Sequence, residues 1–425
     1  MAAYDIKTSL ETDLSRIYVT ENVTLNIDVA EAISSVTFVM NSLLYEESDK
    51  SAYTSSQKKR FKGGETEFGG VSVNGMAAQT ELSGREIIVA LPEPVAQGEV
   101  TINFGYTSLV AESESVFGRS DGSVRLFDCY PTLAPFDGKE FLSYEFNYFS
   151  NEFGLNRSEY KMTYYTPISV SIATDLEVTD TREEELQKVT ECRGSSYSPG
   201  AIATEKPFFV DGNVVTDNEK LFPYLHEFSS SYAAATDSAP THIKVISTPL
   251  GADFMTKGSV VMISDELFGE RLINAAAEGV ARTYFYGTSQ TSDAMWVSEG
   301  LPYFLSVYRL SGSDEYSEKL PEDEKLVQSV TEFLRGYNPN YTRFPFSAAE
   351  SFTTIPEYNA VVRAGTALAM DTLIGTFGEK KVLRAIRSLT AVPPLTTDEA
   401  ILTMSKSLGR GSEAVIREAL SLTAC

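Results

Sequence analysis

The chain has 425 residues, of which 59 are Asp or Glu and 35 are Lys or Arg, so its formal net charge is −24. This balance argues against nucleic acids and anionic membrane surfaces as partners, because both require a basic patch on the protein. No run of about 18 apolar residues occurs, so no segment is expected to span a membrane. A chain of this length is expected to form two or more domains.

The N-terminal segment "MAAYDIKTSLETDL" has neither a basic region nor an apolar core, so it does not resemble a signal peptide. Few cysteines, an acidic balance and many Ser, Thr and Tyr residues favour an extracytoplasmic or cell-envelope location, with any signal removed from this sequence. A cytoplasmic location is the alternative.

The cysteines and histidines argue against the common metal-site motifs. The three cysteines form no C-x-x-C motif, which excludes a cysteine-based zinc site of that type. Cys129 and Cys192 could form a disulfide, although two buried free thiols are the favoured prediction, and Cys425 is expected to be exposed. His226 and His242 show no metal-ligand spacing, so we interpret both as structural. A site built from both histidines and a carboxylate is the alternative.

Alternating apolar and β-branched residues predict strands through the first half of the chain. Turn clusters such as "FKGGETEFGG" and "GRSDGS" separate them. The predicted strands cover residues 16–29, 34–45, 85–92, 99–108, 123–131 and 164–174, and β-like sequence continues through 196–212. The pattern predicts an antiparallel sheet or sandwich.

Helical spacing of apolar residues dominates the second half of the chain. The predicted helices cover residues 218–235, 269–287, 293–312, 322–337, 358–378, 379–389, 396–409 and 412–423, with short strands at 241–250 and 258–267. The predicted fold class is therefore α+β. An N-terminal antiparallel β domain (residues 1–212) precedes a mainly α-helical domain (residues 213–425).

This order of elements resembles the gluzincin metallopeptidases, the family of the alanyl aminopeptidases and leukotriene hydrolases. "ALPEPVAQGEVTINFGYTS" is similar to the family's "l-p-x-p-l-x-x-G-e" turn before a paired strand. "CYPTLAPFDG" and the later "YTPISVSIAT" are similar to the family's "w-y-P" segment and the strand that follows it. The resemblance implies a β saddle or sandwich followed by a thermolysin-like domain.

The resemblance also implies a zinc site, for which the ligands are missing. A peptidase of this family needs H-E-x-x-H on one helix, whose Glu activates the zinc-bound water, and a Glu ligand on the next helix. "WVSEG" resembles the family's "N-E-G" turn and places Glu299 at that last ligand position. One carboxylate cannot hold zinc at useful affinity, since catalytic zinc sites use three protein ligands.

The preceding helix can be aligned with the H-E-x-x-H motif in two registers, and neither supplies a histidine. In the first register Glu278 matches the general base, and in the second Gly287 matches the glycine that follows the motif. The first register places Ala277 and Ala281 at the ligand positions. The second places Gly279 and Thr283 there, with Val280 at the position of the general base.

Two further motifs of the family are degenerate. The segment "GADFMTKG" resembles "G-x-M-E-N", which binds the substrate's amino group. It keeps Met255 but has Thr256 and Lys257 where Glu and Asn belong, and Lys257 would repel an ammonium. In "VRAG", Val362 replaces the tyrosine that stabilises the oxyanion. Tyr358, one helical turn earlier, is a possible displaced substitute.

These losses together predict a catalytically inactive, aminopeptidase-like protein without a metal or cofactor. The retained Glu278 and Glu299 are expected to be hydrated or paired, for example with Arg282 or Arg363. The predicted role is a binding or scaffold module for a peptide or protein partner in a cleft between the domains. The residues expected to line this cleft are Met255, Thr256, Lys257, Glu278, Arg282, Glu299, Tyr303, Tyr358 and Arg363.

Two alternative functions remain open from the sequence. One is an active hydrolase with other machinery, either a Ser/His/Asp set or a carboxylate pair formed by Glu278 and Glu299. The other is a structural envelope protein, for which the sequons at Asn22, Asn156 and Asn340 would matter only in a eukaryotic secretory setting.

Overall fold

The computed structural model describes residues 2–45, 62–120, 122–142, 154, 156–236, 240, 242–311, 343–392 and 395–421. The predicted helix at 322–337, the sequon at Asn340 and the expected exposure of Cys425 lie outside these residues. Contacts divide the chain into two compact units. The first comprises Met1–Phe146, Leu155–Glu219 and His242–Leu267, and the second comprises Asn147–Gly154, Lys220–Thr241 and Phe268–Cys425. Whether the domains divide at residue 212 stays a prediction.

The first unit is built from strands. They are β1 (Ala2–Leu10), β2 (Arg16–Val39), β3 (Glu65–Val73), β4 (Met76–Ala77), β5 (Thr80–Ser83), β6 (Glu86–Leu109), β7 (Phe117–Ser120), β8 (Ser123–Leu126), β9 (Thr132–Leu133), β10 (Ser158–Pro167), β11 (Ser171–Thr174), β12 (Glu177–Glu184), β13 (Gln187–Ser196), β14 (Ala201–Thr204), β15 (Phe209–Asp211), β16 (Val214–Thr216), β17 (Ile243–Thr248), β18 (Phe254–Lys257) and β19 (Val260–Ser264).

These strands form three sheets. The largest has ten strands, of which eight follow the order β12-β13-β10-β1-β2-β6-β3-β4. The other two lie off this path, where β5 pairs with β6 and β9 pairs with β2. It is antiparallel except for the pairing of β1 with β10. A four-stranded antiparallel sheet has the order β11-β14-β8-β7. The third sheet, β15-β16-β17-β19-β18, is mixed, since β17 pairs in parallel with both β16 and β19.

Two long strands replace four predicted ones. Strand β2 joins the strands predicted at 16–29 and 34–45, and β6 joins those predicted at 85–92 and 99–108. The predicted turn after Leu91 is therefore wrong, because the chain continues as strand through it. Pro92 and Pro94 lie between Ala90 and Val95, in a stretch of β6 whose residues have no partner in β2. Neither proline therefore has to donate a hydrogen bond to that strand.

The core of the first unit follows the alternation of its strands. In β1 and in the first half of β2, every second residue is buried, which places the apolar side chains on one face. Cys129 and Cys192 are both buried and both free, which confirms the favoured prediction of two thiols. Burial raises the pKa of the Cys192 thiol to about 12 and raises that of Cys129 strongly, so both are inert at neutral pH.

The second unit is helical. Its α-helices are α1 (Phe222–Ala235), α2 (Gly269–Phe285), α3 (Leu301–Ser311), α4 (Ile355–Tyr358), α5 (Gly365–Phe377), α6 (Glu379–Thr390), α7 (Thr397–Leu408) and α8 (Ser412–Ser421). Short 3-10 turns occur at Ser292–Ala294 and Ala349–Ser351. The described helices include none that is long and apolar enough to cross a membrane.

Two predicted helices contain π-helical turns that the sequence pattern did not indicate. Trp296–Gly300 leads into α3, and Asn359–Ala364 lies between α4 and α5. Each turn adds a residue to a helical turn and rotates the side chains that follow, and such turns often occur at functional sites. Gly300 of the first turn packs closely against the second, so a Cβ there would lie 2.8 Å from the carbonyl oxygen of Val362.

Candidate functional site

Helix α2 brings Glu278 and Arg282 to one side of the second unit. They are four residues apart, so their side chains lie above one another on the same helical face. Arg282 donates from Nη2 to Oε1 of Glu278 across 3.4 Å. Around them the helix is formed by small apolar residues, and Ala276, Ala277 and Ala281 are fully buried. The ion pair is therefore placed at the margin of a packed core.

Arg282 also reaches the next helix. Its Nη2 donates to Oε2 of Glu299 across 3.1 Å. Glu299 lies in the first π-helical turn, and its side chain is only 4% exposed. One guanidinium thus bridges two buried carboxylates from neighbouring elements. This arrangement confirms the expectation that Glu278 and Glu299 are paired.

A second guanidinium closes the network. Arg363, from the second π-helical turn, makes a short ion pair from Nη2 to Oε2 of Glu278. Its guanidinium carbon lies 5.1 Å from the centre of the Tyr303 ring, a cation–π geometry. Two carboxylates and two guanidiniums therefore form a connected cluster whose formal charges cancel. We call these four residues, Glu278, Arg282, Glu299 and Arg363, the carboxylate–guanidinium cluster, or the cluster.

Two tyrosines lie beside the cluster. Burial raises the pKa of Tyr303, which Arg363 partly opposes and Glu278 reinforces. Burial raises the pKa of Tyr358 well above its usual range, and the charge of Glu299 adds to the effect. Both shifts favour the neutral hydroxyl over the phenolate. Tyr358 also packs edge-on against Phe352, with ring centres 5.3 Å apart.

The cluster does not fit a zinc ion. Zinc is bound by imidazole, thiolate or carboxylate donors, and three protein ligands are usual at catalytic sites. Here both carboxylates are bonded to guanidinium groups, which have no lone pair to give to a metal. Within the described residues, no group of three or more His, Cys, Asp and Glu side chains is placed to hold a metal ion.

The contacts identify the face of α2 that meets Glu299. Arg282 reaches Glu299 directly, and Glu278 shares that guanidinium. Both registers considered from the sequence put the ligand positions on other faces of the helix. Thr283, a ligand position in one of them, donates its hydroxyl to the carbonyl of Val280 in its own helix. The Glu–Arg spacing of four residues is the sequence signal that identifies this face.

The remaining predicted cleft residues lie in the first unit. Met255, Thr256 and Lys257 belong to β18, and the last two are buried. Lys257 donates from Nζ to Oδ1 of Asp128 across 3.2 Å, and both side chains are less than 8% exposed. Lys257, expected to repel an ammonium, therefore has a buried counter-ion within its own unit.

We expect Lys257→Met to lower the free energy of unfolding by about 3 kcal/mol, because it leaves Asp128 buried without its cation. Urea unfolding of the full chain measures this change. Lys161→Met is the matched control, since its ion pair with Asp5 has the similar length of 3.0 Å but is about 40% exposed on both sides. The control is expected to cost less than about 1 kcal/mol. Equal losses in the two variants contradict a special role for the Lys257 pair.

Comparison with solved structures finds a shared fold across nearly the whole chain. The M1 zinc metallopeptidase from Deinococcus radiodurans is 14% identical with a TM-score of 0.64, and the match covers 98% of this chain and 92% of that one. A mutant of that protein bound to a Tyr-Ser-Ala substrate matches with a TM-score of 0.65 at 14% identity, covering 98% and 93%. A two-domain M1 zinc metallopeptidase mutant bound to L-arginine has a TM-score of 0.64 at 15% identity, covering 98% and 93%.

No protein-family profile matches the chain, and no curated protein matches it. The solved structures are less than 16% identical, so they establish the fold and not the activity. The large antiparallel sheets and the helices match the two-domain fold of those peptidases, whereas the thermolysin-like character of the helical part stays a prediction. The chain has the mixed α+β fold of the M1 zinc metallopeptidases.

Proposed function

We propose that this chain is a catalytically inactive protein with an aminopeptidase-like fold, which acts as a binding or scaffold module. The observation that carries the proposal is the bridge of Arg282 between Glu278 and Glu299. The resemblance assigns Glu299 to a zinc-ligand position, and an arginine bonded there supplies a fixed positive charge without an open coordination position. A guanidinium cannot generate a nucleophilic water as zinc does, because it has no site for one.

The position assigned to the oxyanion-stabilising tyrosine supports the same conclusion. Val362 is fully buried, and its alkyl side chain has no hydrogen to donate to a developing oxyanion. Tyr358 is the substitute considered from the sequence, but its side chain is buried and its ring packs against Phe352. Peptide hydrolysis would therefore lack an activated water and this source of charge stabilisation.

The partner class follows from charge. A net charge of −24 weighs against a nucleic acid and favours a peptide or a protein as the ligand. The cluster itself is internally neutralised, so it does not provide a strong field of either sign. We therefore propose a peptide or protein partner, and an extracytoplasmic or envelope location remains part of the proposal.

The test is a combined measurement of metal content and hydrolysis on the purified full chain. We expect zinc well below one ion per chain after dialysis, and no chelator-sensitive release of product from aminoacyl anilides. The alternative, a hydrolase that uses the carboxylates, requires chelator-insensitive turnover that Glu278→Gln and Glu299→Gln abolish. Stoichiometric zinc with chelator-sensitive turnover overturns the proposed inactivity.

A further inference from the structure

The layout of the cluster is that of a three-position cation site. Glu278 and Arg282 lie one turn apart on α2, and Glu299 approaches them from the neighbouring π-helical turn. A helix commonly presents metal ligands in this way: two donors lie at positions i and i+4 of the helix, and another element supplies the third. In this chain one of the two helical positions is occupied by Arg282, whose side chain is itself a cation.

The two carboxylates require a cation at this point. The side chains of Glu278 and Glu299 are only 7% and 4% exposed. Buried carboxylates of like charge repel each other and lose hydration, and a positive group placed between them offsets both costs. The shared Nη2 of Arg282, 3.4 Å from one and 3.1 Å from the other, occupies the place of that group.

We propose that the guanidinium of Arg282 is a built-in substitute for a metal ion, with Glu278 and Arg282 at the two helical ligand positions and Glu299 at the third. The inference rests on the proposed function and adds a specific register to it. The sequence "EGVAR" at 278–282 then has the spacing of a two-ligand helical motif, and Gly279 takes the position of the intervening Glu. This register differs from both registers considered from the sequence.

Helical geometry separates the three registers. Successive residues on an α-helix are rotated by about 100°, so positions 277 and 281 point well away from the face of Glu278 and Arg282. Ala277 and Ala281 are also fully buried, and larger side chains there would collide with the core. Positions 279 and 283 are rotated by the same angle in the other direction. The side chains that meet Glu299 are therefore the pair at 278 and 282.

The experiment replaces the built-in cation by metal ligands. The test variant of the full chain carries Glu278→His, Arg282→His and Arg363→Gln, so that no guanidinium of the cluster remains to repel a metal. We expect it to bind one Zn²⁺ per chain at least about 100-fold more tightly than the unaltered protein, measured by calorimetry. Zinc is also expected to raise its melting temperature by mass action.

Two control variants test the assignment of positions. Adding Glu299→Gln to the test variant is expected to weaken zinc binding at least about tenfold, since it removes the third ligand. Gly279→His with Thr283→His and Arg363→Gln carries the same histidine spacing at the ligand positions of the second register, of which Thr283 is half-buried, and we expect the folded variant to bind no more zinc than the unaltered protein. Equal binding by both histidine pairs, or a folded test variant without zinc affinity, overturns the inference.

A second pair of variants keeps the inference testable if the histidine variants do not fold. Arg282→Gln with Arg363→Gln leaves the two carboxylates without a cation, and we expect divalent cations at millimolar concentration to raise its melting temperature. Adding Glu299→Gln should remove that rise. No rise in the first variant contradicts the inference. Stoichiometric zinc in the unaltered protein would instead contradict the proposed function, so the two failures are distinguishable.

Discussion

Replacing Gly300 by alanine is expected to lower the free energy of unfolding by at least about 4 kcal/mol. A Cβ at this position would lie 2.6 Å from Cβ of Thr366 and 2.8 Å from the carbonyl oxygen of Val362. The second of these is backbone, so a rotamer change cannot relieve the collision, and the two π-helical turns must separate. Losses of this size are rare and point to a specific mechanism such as overpacking.

The matched control is Gly375→Ala in α5, where nothing lies within 4 Å of the added Cβ. That substitution is expected to stabilise the chain by about 0.5–1 kcal/mol, because an exposed helical glycine loses more backbone entropy on folding than alanine. Chemical unfolding of both variants measures the contrast. Truncating Thr366 to alanine should not rescue Gly300→Ala, because the Val362 carbonyl remains in place. A cost below about 1 kcal/mol for Gly300→Ala contradicts the close packing of the two turns.

The sequence predicted the type of most elements and the pairing of the retained glutamates. Period-two alternation identified the strands, helical spacing identified the helices, and buried carboxylates near Arg282 and Arg363 had to be paired. It did not show that β2 and β6 continue through their irregular centres, since two prolines and polar residues mimic a turn. The prolines fit only because the partner strand leaves that stretch of the ladder unpaired, which is a tertiary effect.

For a related reason, the sequence did not predict which positions of α2 face Glu299. A motif alignment that starts from Glu278 as a general base, or from Gly287, fixes positions by residue identity. The position of a side chain around a helix depends instead on where the neighbouring element lies. The π-helical turn at Trp296–Gly300 rotates Glu299, and that turn depends on the contact of Gly300 with the turn at Asn359–Ala364. Only the packed structure determines which face of α2 Glu299 meets.

A buried acid in the first unit was visible in the sequence but not recognised. The inward positions of β2 read Ile17, Val19, Glu21, Val23 and Leu25, so the apolar alternation passes through a glutamate. Glu21 is fully buried, and within the described residues neither of its carboxylate oxygens has a hydrogen-bond partner. A charged carboxylate in that environment is strongly unfavourable.

Among the described residues, the groups that a charge on Glu21 would influence are neutral side chains. Burial raises the pKa values of Tyr4, Tyr106, Tyr130 and Tyr160, and that of Cys129, and a charge on Glu21 would add to each rise, so these neutral groups lie near it. Burial accordingly raises the pKa of Glu21 well above its usual range. The carboxyl therefore takes up a proton on folding over a range of pH in which the unfolded chain is ionised.

The free energy of unfolding of Glu21→Gln, relative to that of the unaltered chain, is expected to increase as the pH rises. Below the ordinary glutamate pKa of about 4.3, Glu21 is neutral in both states, and its contribution to stability is fully present. From there up to its raised native pKa, the unfolded state gives up the proton first, so that contribution falls by up to about 1.4 kcal/mol per pH unit. Glutamine cannot ionise and lacks this slope.

Urea unfolding between pH 4 and pH 8 measures the difference between the two proteins at each pH, which cancels the titration of all other groups. Glu67→Gln, at an exposed position of β3 in the same sheet, controls for the loss of one surface charge and is expected to change the slope little. Because only the slope is compared, the cost of burying an amide in place of a carboxyl shifts the whole curve and does not affect the conclusion. Parallel stability curves for Glu21→Gln and the unaltered protein would show that Glu21 is ionised or hydrated in the native state.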